Sequence, residues 1–69
     1  MKIKVNGEKK NIELGNEKAF LSIVLKTLGY RPNSIVVELN NLIINSEKWD
    51  NEIIQSGDRL EIVSIVGGG

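Results

Sequence analysis

The carboxyl-terminal glycines, Gly67-Gly68-Gly69, have the most distinctive chemistry in this sequence. Glycine has no side chain to pack and a wide φ/ψ range, so we expect a flexible tail after the apolar pair Ile65-Val66. So narrow a segment could enter a tight channel in another protein. A frayed terminus or the remnant of a linker is the bland interpretation of the same residues.

The terminal carboxylate of Gly69 would be the reactive group of this tail. Such a carboxylate is ionised at pH 7 and is a poor acyl donor, because its carbonyl carbon is already electron-rich. Conversion to an acyl-adenylate with ATP and Mg²⁺ would allow a sulfur or nitrogen nucleophile to displace AMP. The tail is therefore a candidate substrate for an activating enzyme.

The rest of the composition excludes several kinds of intrinsic chemistry. The chain has no cysteine and no histidine, so it cannot build a zinc site, an iron–sulfur cluster or a Ser–His or Cys–His nucleophile pair. The acidic residues Asp50, Glu52 and Asp58 do not have the spacing of a metal-binding loop. We therefore predict no catalytic residue, no metal and no bound cofactor.

Charge and length narrow the possibilities further. Nine Lys and Arg residues balance nine Asp and Glu residues, which argues against general binding to nucleic acid or membranes. At 69 residues we expect a single domain over residues 1–66, followed by the tail at 67–69. No apolar run reaches transmembrane length and no signal peptide is recognisable, so we expect a cytoplasmic protein, or a stromal one if plastid-encoded.

A β-hairpin is predicted at the start of the chain. Met1 to Val5 alternates apolar and charged residues, and Asn6-Gly7 is a strong turn signal. We expect the return strand near Lys10 to Leu14, with the loop at Asn6 to Lys9 so that Ile3 faces Ile12. A two-residue loop would place Ile3 opposite Lys10 instead.

A single amphipathic helix should follow, from Glu17 to about Leu28. Asn16 can cap its start, Lys26 suits its last turn, and Gly29 is a natural residue for its end. Five apolar residues fall on one face at helical spacing: Phe20, Leu21, Val24, Leu25 and Leu28.

The second half of the sequence predicts more strands. Residues 34–40 alternate with Ile35, Val37 and Leu39 on one face, and a turn at Asn40-Asn41 leads into a short apolar run at 42–44. A helical turn at 46–50, capped by Ser46, and a tight turn at 55–58 precede a last strand at 59–66. Its inward residues should be Leu60 and Ile62.

These elements together predict an α+β fold of the β-grasp (ubiquitin-like) type. One helix would cover one face of a mixed sheet of four or five strands. The first and last strands would lie side by side and parallel in the middle, with the helix in the crossover.

Over essentially its full length the chain resembles the ubiquitin-like sulfur carriers, specifically those of thiamine biosynthesis (the ThiS family, within the ThiS/MoaD-like superfamily). The resemblance depends on the hairpin, the single helix, Glu47-Lys48-Trp49, the turn Gln55-Ser56-Gly57-Asp58 and the terminal Gly68-Gly69. The Gly-Gly end is shared by many ubiquitin-like proteins. The E-x-W segment followed by the G-D turn is more particular to the thiamine branch.

The resemblance implies a protein co-substrate and not an enzyme. Gly69 would be adenylated by an E1-like adenylyltransferase (ThiF-type) that uses ATP and Mg²⁺, and a cysteine desulfurase persulfide relay would then supply sulfur. The resulting thiocarboxylate (1-thioglycine) would donate its sulfur to thiazole synthase (ThiG-type). Gly67 and Gly68 would provide flexibility and clearance, and the free carrier would be a monomer.

An apolar docking patch for these partners is a further hypothesis. By alternation, Val36, Val63 and Ile65 face away from the helix on adjacent strands. Scattered surface apolar residues are the alternative. Charged residues could rim this patch or could equally form a solvated charged edge: Glu38, Arg59 and Glu61.

Two other features have plainer interpretations. Trp49 is expected to fill the core beneath the short helical turn. The lysines near the hairpin could form an anion site, but without interleaved aromatic residues a solvated face is the better interpretation: Lys2, Lys4, Lys9 and Lys10.

Two rival functions remain open on the sequence. The small subunit of molybdopterin synthase shares the tail and thiocarboxylate chemistry, but often has a proline shortly before the glycines, where this chain has Ser64-Ile65-Val66. A ubiquitin-like modifier or interaction module would be joined through Gly69 to a lysine, or would use no tail chemistry at all.

Overall fold

The computed structural model describes residues 1–65, and residues 66–69, which include the predicted tail, lie outside the described residues. The five strands are β1 (Lys2–Val5), β2 (Glu8–Asn11), β3 (Ile35–Leu39), β4 (Leu42–Ile43) and β5 (Arg59–Ser64). The α-helix, α1, is Leu21–Leu28, and two short 3₁₀ helices lie at Pro32–Ser34 and Ser46–Lys48.

The strands form one mixed sheet in the order β2-β1-β5-β3-β4. β1 and β5 are parallel neighbours in the centre, while β3 pairs antiparallel with both β5 and β4. This confirms the predicted β-grasp arrangement, in which the first and last strands meet and α1 lies in the connection between them.

The predicted register of the first hairpin is wrong. Ile3 faces Lys10, and the loop contains only Asn6 and Gly7. Both loop residues have positive φ, 51° and 83°, as a type I′ turn requires. The turn geometry therefore sets the register and outweighs the apolar pairing of Ile3 with Ile12.

The return strand correspondingly begins and ends earlier than predicted. Glu8–Asn11 is exposed along its whole length, whereas Ile12, just beyond it, is buried. The backbone N–H of Ile12 donates to the carbonyl of Met1 at 2.8 Å. Ile12 thus reaches the core from outside the regular ladder.

The helix begins four residues later than predicted, at Leu21 instead of Glu17. Phe20 is extended (φ −64°, ψ 146°) and forms an isolated β-bridge with Ile53, so neither Asn16 nor Glu17 belongs to the first turn. The N–H groups of Leu21 and Ser22 donate to the carbonyls of Glu52 and Trp49 at 2.7 and 3.1 Å. Tertiary backbone partners therefore replace the expected side-chain cap.

The end of α1 agrees with the prediction. Gly29 has a φ of 91°, and its N–H donates to the carbonyl of Lys26. The N–H of Tyr30 donates to the carbonyl of Leu25, which completes a Schellman motif. Only a residue that tolerates positive φ suits this position.

The core lies between α1 and the inner face of the sheet. Among the described residues, no polar or charged side chain is buried. The predicted inward residues of β3 and β5 are all buried there, together with side chains from the other elements: Ile3, Val5, Ile12, Leu21, Val24, Leu25, Ile35, Val37, Leu39, Trp49, Ile54, Leu60 and Ile62.

Trp49 has the predicted core role. Its ring is buried and its indole N–H donates to the carbonyl of Ile44 at 2.9 Å. The preceding 3₁₀ helix starts after Asn45, which makes no side-chain cap, so the predicted capping by Ser46 is wrong.

Two asparagine side chains hold β5 at its flanks. Asn6 accepts the N–H of Ile62 at 2.7 Å and donates to its carbonyl at 3.1 Å, which continues the β1–β5 pairing beyond the strand. Asn40 accepts the N–H of Arg59 at 3.0 Å and donates to the Asp58 carboxylate at 3.1 Å. Both asparagines have positive φ, so each combines a turn with a side-chain clamp.

Asn6→Gly should lower the free energy of unfolding by about 1–3 kcal/mol, because it leaves the partly buried N–H and carbonyl of Ile62 without their partner. Glycine tolerates the positive φ of Asn6, so backbone strain does not contribute. Chemical denaturation measures the loss.

Asn41→Gly is the matched control. Asn41 is exposed and also has a positive φ, 74°, so its replacement should change the free energy of unfolding by less than about 0.5 kcal/mol. Equal losses in the two variants would contradict the proposed clamp.

Candidate functional site

The last described residue, Ile65, is tied to the body of the protein. Its N–H donates to the carbonyl of Ser34 at 2.7 Å, one residue beyond the end of β5. The predicted last strand at 59–66 is therefore observed as Arg59–Ser64, and Val66 lies outside the described residues. Gly67, Gly68 and Gly69 lie outside them as well, so Ile65 is the last described residue before the predicted tail.

The structure brings the three residues of the predicted apolar patch together. Val36 on β3 and Val63 on β5 are direct register partners, and Ile65 follows two residues later on the same side of the chain. Their exposed fractions are 40%, 60% and 53%, respectively. The patch lies on the outer face of the sheet, opposite α1 and next to the origin of the tail.

Ile43 on β4 also belongs to this surface, although it was not among the residues predicted from the sequence. Ile43 pairs with Glu38, an outer-face residue of β3, and its exposed fraction is 66%. The run at 42–44 is apolar throughout and does not alternate with polar residues, so its pattern does not predict which side chains face the core. The turn at Asn40-Asn41 is the feature from which the face of Ile43 could have been predicted. A two-residue loop there places Leu42 opposite Leu39 and Ile43 opposite Glu38.

We refer to Val36, Ile43, Val63 and Ile65 together as the apolar patch. The charged residues predicted to rim it lie on the same face. Glu38 and Glu61 are register partners, and Arg59 lies two residues before Glu61 on β5. The outer face therefore changes along β5 from a cation, through a pair of carboxylates, to exposed apolar side chains.

The described residues contain no cluster of side chains that could hold a metal ion. No buried polar side chain is found in residues 1–65, and no group of three or more acidic residues is close enough to hold a metal ion. Within that part of the chain, no helix is long and apolar enough to cross a membrane.

The model of the ThiS family matches residues 3–69. The chain belongs to the ThiS family. The matched range includes the glycine tail that the described structure does not cover. The predicted family resemblance is thereby confirmed.

Solved structures agree with this assignment. The crystal structure of the thiamine biosynthesis protein ThiS from Geobacter metallireducens matches with a TM-score of 0.81 and 28% identity, covering all of both chains. The solution structure of a thiamine biosynthesis protein from the same organism gives a TM-score of 0.79, also at 28% identity, and covers 88% of that chain.

The relatives found by sequence include proteins much longer than this chain and proteins of similar length. A thiazole synthase of Magnetococcus marinus is 35% identical over the whole chain, which spans only 20% of that protein's length. The protein ycf40 of Porphyra purpurea is 31% identical over 67 residues, which cover 97% of this chain and 90% of the relative. This chain therefore matches a segment of the long relative and nearly all of the short one.

Proposed function

We propose that this protein is a sulfur carrier of thiamine biosynthesis whose terminal carboxylate, on Gly69, is converted to a thiocarboxylate. The observation that carries the proposal is the family match over residues 3–69, which includes the tail. In this role the protein is a co-substrate, and its own side chains perform no bond-making step.

The proposed chemistry begins with activation of the carboxylate. A ThiF-type adenylyltransferase would use MgATP, with the carboxylate oxygen attacking the α-phosphorus and pyrophosphate leaving. The terminal sulfur of a persulfide, supplied by a cysteine desulfurase relay, would then form a C–S bond as AMP departs. A thiol would cleave the remaining S–S bond and leave the thiocarboxylate on Gly69.

The apolar patch supports the second part of the proposal, docking to the partner enzymes. Exposed apolar area that becomes buried contributes roughly 25 cal/mol per Å², and the patch lies beside the origin of the tail. Because Val36 and Val63 are not needed in the core, a partner can cover them without disturbing the fold. Binding there would aim the tail into the partner's active site.

The relatives favour a ThiG-type thiazole synthase as the sulfur acceptor. In the thiazole synthase of Magnetococcus marinus, a segment similar to this chain makes up about a fifth of the polypeptide. A carrier-like segment and a synthase within one polypeptide support a direct transfer between them. The solved relatives, which are named for thiamine biosynthesis, favour this branch over molybdopterin synthase.

The division into a domain at 1–66 and a flexible tail at 67–69 remains a prediction, as does the cytoplasmic or stromal location. A ubiquitin-like modifier, joined to lysines through Gly69, would need the same adenylation but would give isopeptide adducts. Gel mobility of the products separates that outcome from sulfur transfer.

Deletion of Gly69 should abolish thiazole formation in a reconstituted reaction with the adenylyltransferase, MgATP, a sulfur source, thiazole synthase and the synthase's other substrates. The shortened chain ends at a different carboxylate, one residue further from the partner's reaction centre. Thiazole phosphate is measured by chromatography, and unfolding of the variant is compared with that of the full chain.

Two results would count against the carrier assignment. Thiazole formation by the deletion variant would show that the Gly69 carboxylate is not the sulfur site. Activity of the full chain with the large subunit of molybdopterin synthase, and none with thiazole synthase, would move it to the molybdenum branch.

Ile65→Asp should weaken binding to the adenylyltransferase about tenfold or more, because it removes an apolar contact of roughly 1.5–3 kcal/mol and adds a charge to the interface. Ile65 is half exposed, so the fold should not change. Titration calorimetry measures the dissociation constant.

Ile53→Asp is the matched control, since Ile53 is exposed to a similar degree, 45%, but bridges to Phe20 in the segment before α1. It should leave binding within about twofold of the original. Unchanged affinity for Ile65→Asp would remove Ile65 from the docking surface.

A further inference from the structure

Four cations lie on the outer face of the sheet, on the far side of Glu38 and Glu61 from Val36, Val63 and Ile65. They are Lys2 and Lys4 on β1, Lys9 on β2 and Arg59 on β5, and we refer to them as the basic cluster. All four are exposed, and together they line a shallow concavity of about 340 Å³.

The register of the sheet places three of these cations in one row. Lys4 is the direct partner of Lys9 on one side and of Arg59 on the other. Neighbouring strands lie about 4.8 Å apart, so the row spans roughly 10 Å. Like charges directly opposite each other are unfavourable, and nothing in the core requires this arrangement.

Protection of a sheet edge explains only part of the cluster. Lysines on an edge strand prevent pairing with other chains, which accounts for Lys9 on β2. Lys4 and Arg59 lie on β1 and β5, which have hydrogen-bonded neighbours on both sides. Edge protection therefore does not account for these two charges, whereas a binding partner would.

The exposure of the cluster favours an acidic protein surface over a small anion. Each exposed ion pair contributes at most about 1 kcal/mol, so a single phosphate would be held weakly. An extended acidic surface would meet all four charges and would also attract the carrier during diffusion.

The basic cluster is close enough to the apolar patch for one partner protein to cover both. Arg59 and Ile65 lie six residues apart on the outer face, about 20 Å at 3.3 Å per residue. A standard interface buries about 800 Å² on each partner, roughly 28 Å across if square. A partner protein docked on the apolar patch would therefore also cover the basic cluster. The part of the partner that contacts the cluster would be distant from the partner's own active site, which receives the tail.

We propose that the basic cluster binds an acidic surface of the adenylyltransferase and orients the carrier for activation. This inference rests on the proposed function, since it takes the activating enzyme as the partner. The carboxylates of Glu38 and Glu61 separate the cluster from the apolar patch, so a complementary partner can dock in only one direction.

The test is the association rate of the full-length protein with the adenylyltransferase, measured by stopped-flow fluorescence. The variant Lys4→Glu/Lys9→Glu should associate about tenfold more slowly than the original at about 0.05 M salt. The difference should fall below about twofold at 1 M salt, where the Debye length is about 3 Å.

Lys18→Glu/Lys48→Glu is the matched control. It produces the same change in net charge at exposed residues outside the sheet, so its association rate should stay within about threefold of the original. Lys4→Gln/Lys9→Gln removes the two positive charges without adding negative ones, so its association should slow less, by about threefold. This milder variant keeps the test valid if the charge-reversal variant does not fold.

Equal slowing in the sheet and control variants would overturn the proposal, because net charge alone would then explain the rates. Slowing that affects only thiazole synthase, or only binding to a DNA duplex, would also overturn it. These results are distinct from failure of the proposed function, in which the unmodified chain would cause no pyrophosphate release from MgATP.

Discussion

The parallel pairing of β1 with β5 is the interaction on which the rest of the structure depends. In the order β2-β1-β5-β3-β4, β5 lies between the first hairpin (β1 and β2) and the second (β3 and β4). The register of that pairing includes only Lys4 with Arg59 and Val5 with Leu60, and the side chain of Asn6 extends it to Ile62. Parallel neighbours need a crossover connection, and α1 provides it while covering the inner face.

The two faces of β5 separate the buried core residues from the residues of the proposed docking surface. Leu60 and Ile62 are buried against the core, whereas Arg59, Val63 and Ile65 point away from it. The outer residues can therefore contribute to partner binding without a cost to packing. Under the proposed function, a partner that docks on this outer face would lie beside Ile65, the last described residue before the predicted tail.

Much of this fold could be predicted from the sequence because the local signals agree with the tertiary structure. The alternation of Ile35, Val37 and Leu39 and the glycine at position 29 predicted β3 and the end of α1 correctly. The start of α1 could not be predicted, because the carbonyls of Glu52 and Trp49, distant in sequence, satisfy its first N–H groups. Ile43 was missed because a two-residue strand is too short to show a period.

The most direct test of the carrier assignment is the intact mass of the protein after incubation with MgATP, the adenylyltransferase and a sulfur source. The account predicts a gain equal to the replacement of one oxygen by sulfur, located by fragmentation on the peptide that ends at Gly69. No gain, or sulfur on any other peptide, would contradict it.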